Sequence, residues 1–382
     1  MADAAGGPLA GVRVVELAGI GPGPFAGMLL GDLGADVVRV DRPGGPGLGI
    51  DPRRDVTHRN KRSVTVDLKA DGGVEAVLDL VGRADVLLEG YRPGVAERLG
   101  VGPGPCLARN PRLVYGRMTG WGQDGPLARA AGHDIGYIAV TGALGLTGPA
   151  GGPPYPPANL LGDYAGGSLY LVVGVLSALL HARATGTGQV VDAAIVDGTA
   201  HLTAMLHGML AAGAWQDRRG GNLLDGGAPF YGVYETSDGG HMAVGALEPR
   251  FYGEFVRLLG IEGAEAAGRD DPGRWGELRD LVAERFRGRT RAEWTAVFEG
   301  TDACVAPVLS LREAPGHPHL AARGTFADRD GVVQPAPAPR FSATPGSLRR
   351  PPAPPGAHTE EVARDWDVPG LLQTGLLQKG PQ

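Results

Sequence analysis

Cysteine, lysine and aromatic side chains are all scarce in these 382 residues. Cys106 and Cys304 are the only cysteines, too few for a disulfide framework or a thiolate zinc site. Cys304, in Asp302-Ala-Cys-Val-Ala-Pro307, reads as a small buried hydrophobe where a strand enters a turn. Positive charge does not dominate: 36 Lys and Arg face 42 Asp and Glu, a net charge of −6. No cationic field would then offset phosphate repulsion, which argues against nucleic-acid binding. The N-terminus carries no basic segment leading into an apolar run, and Lys379-Gly-Pro-Gln382 is not a targeting tripeptide, so a cytoplasmic location is expected.

Several motifs are missing as well. There is no H-E-x-x-H or H-x-x-E-H pair, and His201 and His207 stand six apart, off a common helical face; no metal is expected. Neither G-x-S-x-G nor G-x-x-x-x-G-K-[ST] occurs, which removes the serine-hydrolase elbow and the P-loop. Residues 164–182 carry no Asp, Glu, Lys or Arg, close to the length of a membrane span. With Asp163 just before it and no flanking basic loop or aromatic belt, the segment reads as a buried helix rather than a membrane span.

Glycine and proline are plentiful, 65 and 32 residues, but scattered without a repeat, which indicates frequent turns in a folded chain. The first third alternates β-rich and helical runs. Residues 12–17, 36–41, 63–67, 84–89 and 113–117 read as strands, with helices over 25–33 and 74–81. Such alternation implies an α/β fold with a parallel sheet covered on both faces. Long helices are expected over 164–183 and about 192–215. A hairpin at 230–247 and helices near 249–260, 275–287 and 291–300 form a smaller α+β unit. Pro-rich residues 332–357 run extended and a short final helix follows. The expected division is a large domain over 1–220, a small domain over 221–330 and a C-terminal segment, 331–382, returning to the large domain.

Four places could carry chemistry. Gly21-Pro-Gly23-Pro-Phe-Ala26, with Asp41 ending the next strand, has the outline of a dinucleotide fingerprint. Pro22 and Pro24, however, remove two amides that a phosphate would use. Nicotinamide binding, another nucleotide-like ligand and a structural turn all stay open. His133, in Ala131-Gly-His133-Asp134-Ile-Gly-Tyr137, is a candidate for proton transfer or a structural histidine. Asp163, before the apolar helix, is a helix cap or a proton acceptor between opposed effects of helix dipole and burial. Glu248, at a strand end before Pro249, is likewise a cap or a functional acid.

Taken together, the segments resemble the α-methylacyl-CoA racemases of the family III CoA-transferase superfamily. The matching stretches include Gly11-Val-Arg-Val-Val-Glu-Leu17, Gly31-Asp-Leu-Gly-Ala-Asp36, Glu89-Gly-Tyr-Arg-Pro-Gly94 and Met118-Thr-Gly-Trp-Gly-Gln123. Gly132-His-Asp-Ile135, Gly162-Asp-Tyr164, Leu224-Asp-Gly-Gly-Ala-Pro-Phe-Tyr231, Glu248-Pro-Arg-Phe-Tyr252 and Thr301-Asp-Ala-Cys-Val-Ala-Pro-Val308 agree. Gly136 departs from the pattern, since racemases usually carry Asn there, and this bears on acyl-chain preference.

The resemblance implies a Rossmann-like large domain, a smaller domain and a homodimer of interlocked rings. It implies a racemase that inverts the α-carbon of 2-methylacyl-CoA thioesters, with coenzyme A as part of the substrate and no separate cofactor. His133 and Asp163 match the proton-transfer residues, and Glu248 a carboxylate that supports the histidine from the partner subunit. Coenzyme A and the acyl group would meet Ile20, Arg42, Val66, Asp67, Leu68, Lys69 and Arg92, then Gly132, Asp134, Ile135, Gly136 and Tyr137. The rival on the same fold is a CoA-transferase that uses Asp163 as nucleophile.

Overall fold

The computed structural model describes residues 6–44, 49–261, 263 and 268–373. The Gly/Pro loop at 43–49 lies partly, and Lys379-Gly-Pro-Gln382 wholly, outside them. Six strands form one parallel sheet: β1 (Arg13–Leu17), β2 (Asp36–Asp41), β3 (Lys61–Thr65), β4 (Val86–Glu89), β5 (Val114–Thr119) and β6 (Gln189–Ala194). Their order is β3-β2-β1-β4-β5-β6. It reverses between β1 and β4, and in doubly wound sheets ligands bind at that reversal, beyond the carboxyl ends of the strands.

Helices α1 (Pro22–Asp32), α2 (Gly73–Arg83), α3 (Val95–Arg98) and α4 (Pro103–Arg109) serve the first crossovers. The connection from β5 to β6 holds α5 (Asp134–Val140), a π-helix (Leu160–Ser168) and α6 (Leu169–Thr185), and α7 (Ile195–Leu202) follows β6. Successive strand residues point to opposite faces. Val15, Val38, Leu87 and Tyr115 therefore join one core with Val77 and Leu80 of α2. Val14, Val37, Val86 and Val114 join the other with Leu30 of α1 and Leu171 and Val175 of α6. Each such fully buried Val or Leu stabilises the fold by about 1.5–3 kcal/mol.

The long helix expected over 192–215 is not there. Its first residues extend into β6, pairing with β5 from Val114↔Gln189 to Thr119↔Ala194. Ladder hydrogen bonds to β5 outweigh the modest helix preference of Val-Val-Asp-Ala-Ala. The helical part is split into α7 and α8 (Ala204–Ala211). The apolar helix of 160–185 is long enough to cross a bilayer by length and composition, yet half of its most apolar stretch is buried. Leu171, Val175 and Ala178 face the core, while Val173 and Leu180 are 62% and 70% exposed. Cys304 is also a correction: it is exposed, with φ +54°, just before β9 (Val305–Pro307), and Cys106 is the buried cysteine.

The chain divides into two compact units. The second comprises Gly142–Pro156 and Thr203–Ala321. There β7 (Tyr231–Glu235), β8 (His241–Gly245) and β9 make an antiparallel sheet. Helices α9 (Pro249–Leu259), α10 (Trp275–Phe286) and α11 (Arg291–Phe298) share a core of Phe230, Tyr234, Phe255, Phe286, Trp294 and Phe298 with it. After α12 (Pro318–Ala322) the chain belongs again to the first unit. Its anchor follows α13 (Thr359–Asp365): Trp366, buried, donates from Nε1 to Asp36 Oδ2 at 2.8 Å, and Arg62 bridges Asp36 and Asp365.

Candidate active site

A cavity of about 310 Å³ opens at the carboxyl ends of β1, β4 and β5, where the strand order reverses. The turn after β1 forms one wall. Gly21 caps α1 at φ +78° and ψ −119°, a conformation suited to glycine, and Pro22 and Pro24 lie in the first turn, where missing amides cost least. Beneath them Glu16 and Lys61, each 1% exposed, form an ion pair at 2.6 Å. Burial pushes the Glu16 carboxyl up and the Lys61 ammonium down, and the contact between them opposes both shifts. Lys61 Nζ also donates to the Pro24 carbonyl at 2.8 Å, and the missing Cβ of Gly27 leaves space for the Glu16 carboxylate.

The loop after β4 forms a second wall. Glu89 is buried; its Oε2 accepts the Tyr91 amide at 2.6 Å and its Oε1 the Arg117 Nε at 2.9 Å. Burial raises the Glu89 carboxyl, while those two bonds pull it down. They fix the loop that brings Arg92, an exposed cation, to the cavity rim.

His133 and Asp163 face this same cavity from the β5–β6 connection. His133 is extended backbone before α5, and its carbonyl accepts the Gly136 amide at 2.9 Å. Its ring makes no capping bond and is exposed. Asp134 turns away: it is 7% exposed, and its Oδ1 accepts the Asp163 amide at 2.6 Å. Tyr137 fills the space left by Gly120 and Gly132 and meets Trp121 edge-to-face, ring centroids 4.8 Å apart.

Asp163 is not the helix cap expected as one alternative; it sits inside the π-helix. Gly166 and Gly198 let that segment and α7 touch backbone to backbone, since a Cβ on either would collide with the other helix. Burial raises the Asp163 carboxyl above the ordinary carboxylate range. A hydrogen bond from Asn159 Nδ2 at 3.3 Å lowers it, the charge of Asp134 raises it, and His133 lowers it. A half-buried carboxyl beside an exposed imidazole, on one cavity, is suited to taking a proton from a carbon acid and returning one.

The structure thus brings Ile20, Arg92, Gly132, His133, Tyr137 and Asp163 to one cavity. Leu68 and Lys69 line a separate open hollow with Arg98 and Leu99. Asp67 Oδ1 accepts the Lys69 amide at 2.9 Å, and the Val66 side chain lies in the hydrophobic core. Arg42 is exposed after β2, where its charge lowers the Tyr91 phenol against the larger upward effect of burial. Ile135 is exposed, and among the described residues nothing beyond its chain neighbours and its own helix backbone lies within 4 Å of where a Cβ on Gly136 would be. Glu248 is exposed at the start of α9 in the second unit and makes no capping bond. Among the described residues no group of three His, Cys, Asp or Glu is placed to hold a metal ion.

Sequence reasoning missed Asn159, Arg98, Trp121 and the Glu16–Lys61 pair. Asn159 carried a usable signal, standing four residues before Asp163 at helical spacing. The others depend on tertiary neighbours.

Residues 9–359 match the pattern of CoA-transferase family III. The α-methylacyl-CoA racemase of Mus musculus is 46% identical over 97% of this chain and 95% of that protein. Its Homo sapiens counterpart is 46% identical over 94% and 93%. A CAIB/BAIF family protein from Brucella suis superimposes with a TM-score of 0.82 at 28% identity, covering 95% of this chain and all of that one. With its parallel sheet, its cavity at the strand reversal and this near full-length match, the chain belongs to CoA-transferase family III.

Proposed function

We propose that this protein is a racemase that inverts the α-carbon of 2-methylacyl-CoA thioesters by proton transfer through an enolate. The observation that carries this reading is that His133 and Asp163 line the same cavity. The 46% identity to two α-methylacyl-CoA racemases along nearly the whole chain supports it.

One of the two groups removes the α-proton, and the C–H electron pair moves into the thioester carbonyl to give an enolate. The other group delivers a proton to the opposite face, the electrons return to carbon, and the two side chains finish with exchanged protonation. The α-proton of a thioester lies roughly a dozen pK units above an imidazolium, a gap of about 16 kcal/mol that the site must close. Preorganised donors near the enolate oxygen are the usual means. The start of α1 can offer the Gly23 amide but none from Pro22 or Pro24.

Arg92 at the rim and the Lys69–Arg98 hollow suit the anionic phosphates of coenzyme A, which belongs to the substrate. Glu248 of a partner subunit supports His133 in this reading, and the chain works as a homodimer. The exposed apolar face of α6, at Leu169, Val173 and Leu180, fits such an assembly.

Incubating one enantiomer of a 2-methylacyl-CoA in heavy water tests the proposal. Deuterium should enter C2 while optical purity decays. Retained optical purity and no isotope uptake would overturn it, and an Asp163 acyl adduct trapped by hydroxylamine would favour CoA transfer.

A further inference from the structure

Asp134 has a buried carboxylate that plays no part in this reaction scheme, yet it adjoins His133 in the chain and is bonded to the backbone of Asp163. We propose that Asp134 is a positioning residue that sets the spacing of the proton-transfer pair and places a negative charge behind Asp163. The inference rests on the racemase reading for its kinetic readout only.

Three observations converge. The Asp163 amide donates to Asp134 Oδ1 at 2.6 Å, so the π-helix is tied to the residue next to His133 across 29 positions of sequence. The second oxygen, Oδ2, is buried and has no hydrogen-bond partner among the described residues. Gly162 provides the room: a Cβ there would collide with Asp134 Oδ1. A single charge-assisted bond thus fixes both backbones that carry the reacting groups.

The groups that act on Asp163 can be named element by element. Asp134 lies at the start of α5, His133 just before it, and Asn159 just before the π-helix. Tyr137 of α5 also feels the Asp163 charge. The turn before α1 presents Gly21, and α7 presents Gly198 and Thr199 to the π-helix; none of these is ionisable. Among them Asp134 is the one anion, and its charge raises the Asp163 carboxyl.

The test compares kcat, KM and the pH dependence of kcat/KM for the native protein, Asp134→Asn and Gly162→Ala, with thermal melting as the folding control. Asp134→Asn keeps an acceptor for the Asp163 amide but loses the charge, so the acid limb of kcat/KM should move to lower pH. Both reaction directions should move together, because their ratio is fixed by the equilibrium constant. Gly162→Ala keeps the charge but displaces it, so kcat should fall on the order of 10²-fold with KM little changed. An acid limb that stays in place or rises in Asp134→Asn, or a native kcat in Gly162→Ala, would overturn the proposal. Should Asp134→Asn fail to fold, Gly162→Ala decides. A native protein that does not racemise contradicts the functional reading instead. The link is then read from a ¹³C-carboxyl titration of Asp163, assigned with Asp163→Asn, which should shift downward in Asp134→Asn.

Discussion

Gly21 stands so close to Asp163 that a methyl group added to it would lie 3.1 Å from the carboxylate oxygen Oδ2. The same glycine holds φ +78° and ψ −119°, where side-chain-bearing residues are strained. Gly21→Ala should therefore cost about 1–3 kcal/mol of stability. It should also lower kcat more than it raises KM, because the crowding falls on the reacting carboxyl. Urea denaturation and steady-state kinetics check the two halves separately.

Asn159 pulls the Asp163 carboxyl down while burial pushes it up. Activity needs one member of the pair deprotonated, so it falls as pH drops through the raised Asp163 value. Removing the donor in Asn159→Ala removes a lowering effect, and the acid limb of kcat/KM should move to higher pH. That shift is opposite in sign to the one expected for Asp134→Asn, and a pH–rate series of the two variants side by side reads it.

Lys61 and Glu16 are buried together at 2.6 Å beneath the first turn of α1. Lys61→Met leaves a carboxylate buried without its partner and should destabilise by about 3–5 kcal/mol. The double variant Glu16→Gln/Lys61→Met removes both charges and should recover most of that loss. Equilibrium denaturation of the three proteins measures the difference.

His133→Ala and Asp163→Ala each remove one of the two proton carriers. Each should lower racemisation on the order of 10²–10⁴-fold while coenzyme A binding persists. Polarimetry of one enantiomer, with calorimetric titration of coenzyme A, separates these effects.

The first five strands and helices α1 and α2 were legible in the sequence because their residues alternate β-rich and helical periods with Gly and Pro at the breaks; the short α3 and α4, of four and seven residues, were not. β6 was not: Gln189–Ala194 joins Ile195–Leu202 without a turn residue, and only pairing with β5 makes it a strand. His133 and Asp163 stood out by type and setting, but their common cavity arises from the long β5–β6 connection, which no local pattern encodes. The π-helix was hidden because the residues from 164 on read as one regular helix, while Gly162, Gly166 and Gly167 serve close approach to Asp134 and α7. Cys304 read as buried from its apolar neighbours, although it lies at a positive-φ turn facing solvent.

The central claim is that His133 and Asp163 address opposite faces of one carbon. A crystal structure with a bound 2-methylacyl-CoA measures this most directly. The account predicts C2 between the His133 imidazole and the Asp163 carboxyl, about 3–3.5 Å from each and on opposite faces. A complex in which C2 reaches only one of them, with the other facing solvent or the coenzyme A chain, would contradict it.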